Sequence, residues 1–188
     1  MIKTFVVFFS IFTIFSISHA NLIDEGEKAY NNKEYSKAFE LWKKACDKGL
    51  ADGCNNTGIL YEQGLGTKQD YKLALSYYKK ACDKNLALAC FNLGVLHLKG
   101  RGVTKNVRLA MKLYEKACDK NIAEACYNLG LVYEKGDEIE INFKKALDYY
   151  KKACDMGLPE GCHDAGILLE KGEGVKQDLL KSVEFFKK

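Results

Sequence analysis

The sequence predicts an all-α fold, a solenoid of stacked helix pairs, each stapled by a disulfide. Three observations carry that reading. Eight cysteines stand at 46, 54, 82, 90, 118, 126, 154 and 162, in four pairs that recur every 36 residues without a slip. A fixed period of this length is the mark of repeated units stacked side by side. A cysteine pair in every unit, in a chain with only one proline and no low-complexity linker, points to repeats that are cross-linked in an oxidising compartment. The third observation is the spacing of the apolar residues. Leu73, Ala74, Tyr77, Tyr78 and Ala81 fall on one helical face, and so do Ala125, Leu129, Val132 and Tyr133.

Each unit opens with one helix. Residues 71–82 align with 107–118 and 143–154, and the preceding residue is Asp70, Asn106, Asn142 or, at the last unit, Asp178. Such side chains accept a hydrogen bond from the free N–H groups of a first turn. Past the helix end stand Gly49, Asn85, Asn121 and Gly157, the residue types that a left-handed C′ position favours. A second helix follows, ending at Gly64, Gly100, Gly136 or Gly172. Gly58, Gly94, Gly130 and Gly166 lie inside it. A mid-helix glycine costs about 1 kcal/mol relative to alanine, so its repetition at one phase predicts a close approach by a neighbouring helix. The loop to the next unit carries a second glycine at 66, 102 and 174 but Glu138 in the third, which predicts a different turn there.

Leu22 to Lys33 predicts one more helix before the first repeated helix at Tyr35. Leu179 to Lys188 matches the start of a unit. It predicts a final helix that caps the stack or opens a further repeat, with Phe185 and Phe186 leaving apolar surface open if nothing covers them. Residues 1–20 read MIKTFVVFFSIFTIFSISHA, a signal peptide with Lys3, a short apolar run and small residues before a cleavage site after Ala20. The run is shorter than the ~20 residues a spanning helix needs, so no membrane anchor is expected. Residues 21–188 then form one repeat domain, about four cysteine-paired repeats and a C-terminal capping helix, secreted or periplasmic. The formal net charge is +4 with both signs interleaved, and no basic stripe suggests a nucleic-acid partner.

The motif Ala-Glu-Ala-Cys-Tyr-Asn-Leu-Gly-Leu-Val-Tyr-Glu-Lys-Gly at 123–136, followed by Lys-Lys-Ala-Leu-Asp-Tyr-Tyr-Lys-Lys-Ala-Cys at 144–154, resembles the Sel1-like repeat, a relative of the tetratricopeptide repeat. Cysteine in place of alanine at both helix ends resembles the Helicobacter cysteine-rich proteins. The resemblance implies a right-handed α/α superhelix, secretion from a Gram-negative bacterium and one disulfide per repeat. It also implies penicillin binding or weak β-lactamase activity and a role in host interaction.

The residues themselves offer little for such catalysis. A serine β-lactamase needs Ser-x-x-Lys with Ser-Asp-Asn and Lys-Thr-Gly elements. Only Ser76-Tyr77-Tyr78-Lys79 occurs, and its repeat equivalents Glu40, Lys112 and Asp148 describe a solvated face. His97 and His163 belong to different repeats, and the cysteine spacing matches no zinc pattern, so no metal or cofactor is expected and the catalytic residues stay unassigned. Two periodic cysteine pairings fit. One joins Cys46–Cys54, Cys82–Cys90, Cys118–Cys126 and Cys154–Cys162; the other, Cys54–Cys82 onward, strands Cys46 and Cys162. The first, which uses all eight, is favoured.

Asn56, Asn92 and Asn128 recur two residues after a cysteine, with Asp164 fourth. Amides both donate and accept, so the row could hold an extended peptide, or fix an inter-repeat turn. Two functional readings follow: a weak β-lactam hydrolase, or a non-enzymatic scaffold. The partners expected are a β-lactam, a cell-wall peptide, or a host or bacterial protein.

Overall fold

Side-chain caps start the first helix of a repeat where the sequence supplies them. In the computed structural model, which describes residues 21–136 and 138–188, Asp70 accepts from the N–H groups of Lys72 and Leu73 at 2.9 and 3.0 Å. Asn106 accepts from Leu109, Asn142 from Lys145 and Asp178 from Lys181, at 2.9, 2.9 and 3.0 Å. The expected signal peptide at 1–20 lies outside the described residues.

In chain order α1 spans 21–31, followed by α2 (Tyr35–Asp47), α3 (Ala51–Gln63), α4 (Tyr71–Asp83) and α5 (Ala87–Lys99). Then come α6 (Val107–Cys118), α7 (Ala123–Lys135), α8 (Phe143–Asp155), α9 (Pro159–Lys171) and α10 (Leu179–Phe186). Among the described residues there is no strand. The chain divides after Ala89 into two compact units. The core of the first gathers Ala29, Ala38, Phe39, Trp42 and Leu60. That of the second includes Ala146, Leu147, Tyr150, Ala165, Leu168 and Leu169.

Helix pairs turn through a repeated left-handed corner. Gly49, Asn85, Asn121 and Gly157 all take positive φ, between 65° and 88°. At the first corner Gly49 N–H donates to Cys46 C=O at 2.8 Å and Leu50 N–H to Ala45 C=O at 3.0 Å, the paired bonds that close a helix C-terminus. The same two bonds recur after Ala81, Ala117 and Ala153. This corner brings the two cysteines of a repeat together. Cys46 bonds Cys54 with Cα atoms 4.5 Å apart, Cys118 bonds Cys126 at 4.9 Å and Cys154 bonds Cys162 at 4.5 Å. Cys82 and Cys90 are disulfide-bonded as well, and no free cysteine remains among the described residues. Each bridge closing so short a loop is worth about 2.5 kcal/mol in the chain-entropy account.

The mid-helix glycines explain how successive helices approach. A methyl group added at Gly58 or Gly94 would stand 2.7 Å from the ring of Tyr78 or Tyr114. Gly130 faces Tyr150 and Gly166 faces Phe186 in the same way. A fifth instance went unread in the sequence: Gly26 of α1 lies against the Trp42 indole. Thus α1 is a second-type helix, packed on α2 as α3 packs on α4.

One expectation holds in part and another is corrected. Glu138 takes φ 58°, in the left-handed region that Gly66, Gly102 and Gly174 occupy at the equivalent place, while its loop adds a turn bond of its own, Ile139 N–H donating to Gly136 C=O at 3.3 Å. The exposed apolar face of α10 is not the Phe185–Phe186 pair. It comprises Leu179, Leu180, Val183 and Phe186, whereas Phe185 is half-buried with the Lys151 and Lys188 ammonium groups 6.0 and 5.1 Å from its ring centre.

Candidate functional site

In the second unit, α6 and α8 border a groove floored by Tyr133 of α7. One cavity of about 410 Å³ is lined by Arg108, Lys112 and Glu115 from α6 and Lys145 from α8. An adjoining one of about 350 Å³ shares Glu115, Tyr133 and Lys145 and adds Asp148 and Tyr149. The Tyr133 and Tyr149 rings stack with centroids 5.7 Å apart and planes 6° from parallel. Lys145 Nζ sits 4.9 Å over Tyr133, a cation–π contact that holds the ring from the rim. Lys152 pairs with Asp119 at 2.9 Å. Burial, with lesser contributions from Glu115, Tyr133 and Asp119, pushes the Tyr149 hydroxyl up to about 12, so at neutral pH it is a neutral donor.

The first unit builds a counterpart. Tyr61 stacks on Tyr77 at 5.5 Å, Phe39 meets Tyr61 edge-on at 5.2 Å, and Lys80 lies 5.0 Å over Tyr77. In the remaining repeat the same positions hold His97 and Leu113. His97 is half-buried, its Nδ1 has no hydrogen-bond partner, and burial lowers its pKa.

The asparagine row lies elsewhere. Asn56, Asn92 and Asn128 all sit on second-type helices, and none of them lines the cavities of the α6–α8 groove. Asn56 lines a cavity of about 430 Å³ with Tyr30, Trp42 and Ile59, and its side-chain oxygen accepts from Asn55 at 3.3 Å. Asn128 lines a smaller cleft of about 190 Å³ between α5 and α7, with Leu98, Leu131, Val132 and Lys135. Asn92 is half-buried on α5. Asp164, in the fourth position of the row, accepts from the Tyr127 hydroxyl at 2.9 Å.

Ser76 is exposed on α4, and Lys79 three residues on pairs with Asp83 at 2.7 Å. His163 is exposed, its ring 5.7 Å from that of Phe186. No group of three potential metal ligands occurs among the described residues, and no helix among them is long and apolar enough to cross a membrane.

A second repeated interaction was missed in the sequence. The Tyr78 hydroxyl donates to Glu62 Oε2 at 2.7 Å, and 72 residues on, Tyr150 donates to Glu134. Burial, then the carboxylate, drives both hydroxyls far above the ordinary tyrosine value. Between them Tyr114 is fully buried, but Leu98 stands where the carboxylate would be. Its hydroxyl makes no hydrogen bond of good geometry. The Asn128 side chain lies close enough to oppose part of the effect of burial, which takes the hydroxyl to about 12.

Repeats of this length, with these corners and packing glycines, have relatives. The Sel1 repeat family matches at residues 27–50, 51–86, 87–122, 123–158 and 159–188. The chain belongs to the Sel1 repeat family. A crystal structure of a Sel1 repeat protein from Oxalobacter formigenes is 32% identical with a TM-score of 0.80, covering 87% of this chain and 67% of that one. Cysteine-rich protein B of Helicobacter pylori is 31% identical over 63% of this chain and 85% of its own, with a TM-score of 0.50. These likenesses place the fold among the all-α repeat solenoids and the chain with the cysteine-rich Helicobacter proteins. HcpE of Helicobacter pylori strain J99, provisionally named a beta-lactamase, is 51% identical over 45 residues. That match spans 24% of this Sel1 repeat chain and 13% of HcpE.

Proposed function

We propose that this Sel1 repeat protein is an extracytoplasmic scaffold that holds a segment of another protein or a peptide along the α6–α8 groove. The carrying observation is the pair of adjoining cavities over the stacked Tyr133 and Tyr149 rings, rimmed by charges of both signs. Aromatic faces supply sequence-tolerant apolar area with few rotamers to freeze, and the rim charges select register. Eight bonded cysteines call for an oxidising compartment. The proposed route there is a leader cleaved after Ala20. N-terminal sequencing that begins at Asn21, and an unreduced peptide joining Cys82 to Cys90, are the expected signs of that processing and of the fourth staple.

The groove is tested by selecting peptides from a random displayed library on the native protein. Convergent sequences are expected, and their binding is expected to fall in Arg108→Glu with Lys145→Glu, and in Tyr149→Ala, at unchanged helix content. No convergence, or undiminished binding in both variants, would remove the proposal.

The name carried by HcpE supports a second reading, a slow β-lactam hydrolase. Against it stand the exposure of Ser76 and the pairing of Lys79 with Asp83, which leave no activated nucleophile of the Ser-x-x-Lys kind. Binding of a β-lactam as a mimic of a cell-wall peptide end remains compatible with a scaffold. Asn56 in the first unit, and Asn92 and Asn128 in the second, are the other residues proposed for such contacts.

A further inference from the structure

The ladder of tyrosine–carboxylate pairs is interrupted once among the repeats whose tyrosine is kept, and the interruption coincides with a cleft. Glu62 and Glu134 each accept from the tyrosine sixteen residues on. Leu98 holds that place before Tyr114, and the Tyr114 hydroxyl, fully buried, is left without a good acceptor. A buried hydroxyl with no partner is disfavoured in a folded protein, so its retention asks for an explanation. The ring alone would serve the packing on Gly94, as Phe186 does on Gly166.

Leu98 and Asn128 line the α5–α7 cleft, and Asn128 also lies against the Tyr114 hydroxyl. The cleft is therefore lined by two donors that lack a negative partner from this chain, the Asn128 amide and, at the rim, the exposed Lys135 ammonium, and a third, the Tyr114 phenol, lies buried behind Asn128. Its remaining walls, Leu98, Leu131 and Val132, are aliphatic. At about 190 Å³ it is smaller than the pockets that take whole drug-sized ligands, and suits one end of a molecule.

We propose that the α5–α7 cleft binds a carboxylate carried on a short branched aliphatic group, the ligand's carboxylate taking the place that Glu62 and Glu134 fill in the neighbouring repeats. The ligand carboxylate accepts from Tyr114 and Asn128 and faces Lys135, while its aliphatic group packs on Leu98, Leu131 and Val132. Access to the phenol requires the Asn128 side chain to swing aside. The chemistry is shared by the C-terminus of a peptide and by a small aliphatic acid. It is independent of the α6–α8 groove, which is lined by other residues.

The test is an NMR titration of the intact oxidised protein, following the Asn128 side-chain amide. The probes are N-acetylvaline, its carboxamide analogue and isovalerate. N-acetylvaline is expected to shift the Asn128 signals, and the carboxamide to bind at least about tenfold more weakly, as the loss of charge-assisted hydrogen bonds implies. Leu98→Glu supplies the carboxylate from within the chain. It is expected to weaken N-acetylvaline about tenfold or more while raising the melting midpoint, which separates loss of the site from loss of the fold. Tyr114→Phe is expected to weaken binding severalfold with the melting midpoint kept. Tighter binding of N-acetylvaline than of isovalerate identifies a peptide C-terminus; equal binding identifies small acids. No shift with N-acetylvaline, equal affinity for acid and carboxamide, or unchanged binding in Leu98→Glu would overturn the proposal.

Discussion

Tyr114 and Tyr150 occupy the same place in successive repeats and differ in one partner. Both are fully buried, and both rings rest on a mid-helix glycine, Gly94 or Gly130. Tyr150 donates to Glu134, whereas Tyr114 has Leu98 at the equivalent position and no good acceptor. The difference separates two roles that sequence identity runs together. The ring serves helix packing in every repeat. The hydroxyl stabilises only where a carboxylate receives it, and elsewhere becomes free for a ligand.

The largest expected effect tests the shared half of that comparison. Gly94→Ala and Gly130→Ala each drive a methyl group into a ring held by surrounding core, and should cost about 1–3 kcal/mol in either repeat, read as a fall in the denaturant midpoint. A large loss at one glycine and none at the other would mean that the two junctions do not pack alike. Next comes the half that differs. Tyr150→Phe should cost about 1 kcal/mol by leaving Glu134 without its donor, while Tyr114→Phe should be neutral or stabilising because it removes an unsatisfied group. Equal losses would show that Tyr114 has an acceptor after all.

Alkaline unfolding sharpens the same contrast. Tyrosines whose pKa is raised on folding bind their protons more tightly in the native state. Their stabilisation is whole below the unfolded value of about 10 and is lost as pH climbs through the native one. For Tyr114 that window runs from 10.0 to about 12. Tyr150 sits higher still, by burial and then by Glu134. Tyrosinate absorbance should therefore lose a late-titrating step in Tyr150→Phe and an earlier one in Tyr114→Phe. The smallest effect is at Glu138, left-handed at φ 58°. Glu138→Gly should raise stability by about 1 kcal/mol through relief of that conformation, less any share of the exposed contact to Lys105 at 3.5 Å.

The features legible in the sequence are those in which a local rule repeats at one phase. Caps at 70, 106, 142 and 178, left-handed corners at 49, 85, 121 and 157, and helix ends at the glycines each need only their own few residues. Gly26 was missed because residues 32–34 connect α1 to α2 by a shorter loop than the later repeats use, which puts it out of the 36-residue phase. The tyrosine–carboxylate pairs were missed for another reason: sixteen residues separate the partners across a loop, and only packing says which helix faces meet. The stacked tyrosines of the groove recur at Tyr61 and Tyr77, but its charged rim had no repeated signal. Arg108, Lys112 and Glu115 are equivalent to Lys72, Ser76 and Lys79 in the preceding unit, so its character belongs to one repeat and not to the period. The asparagine row was visible as a pattern, but its location on the second-type helices depended on the stacking.

The central claim is that this chain works by holding partners on stapled, repeated helices, not by covalent serine chemistry. Intact-mass analysis after incubation with a labelled penicillin tests it most directly. The account predicts an unshifted protein mass and no label retained after denaturation, in the parent and in Ser76→Ala alike. A stable adduct of one opened β-lactam on the parent, absent from a folded Ser76→Ala protein, would contradict it.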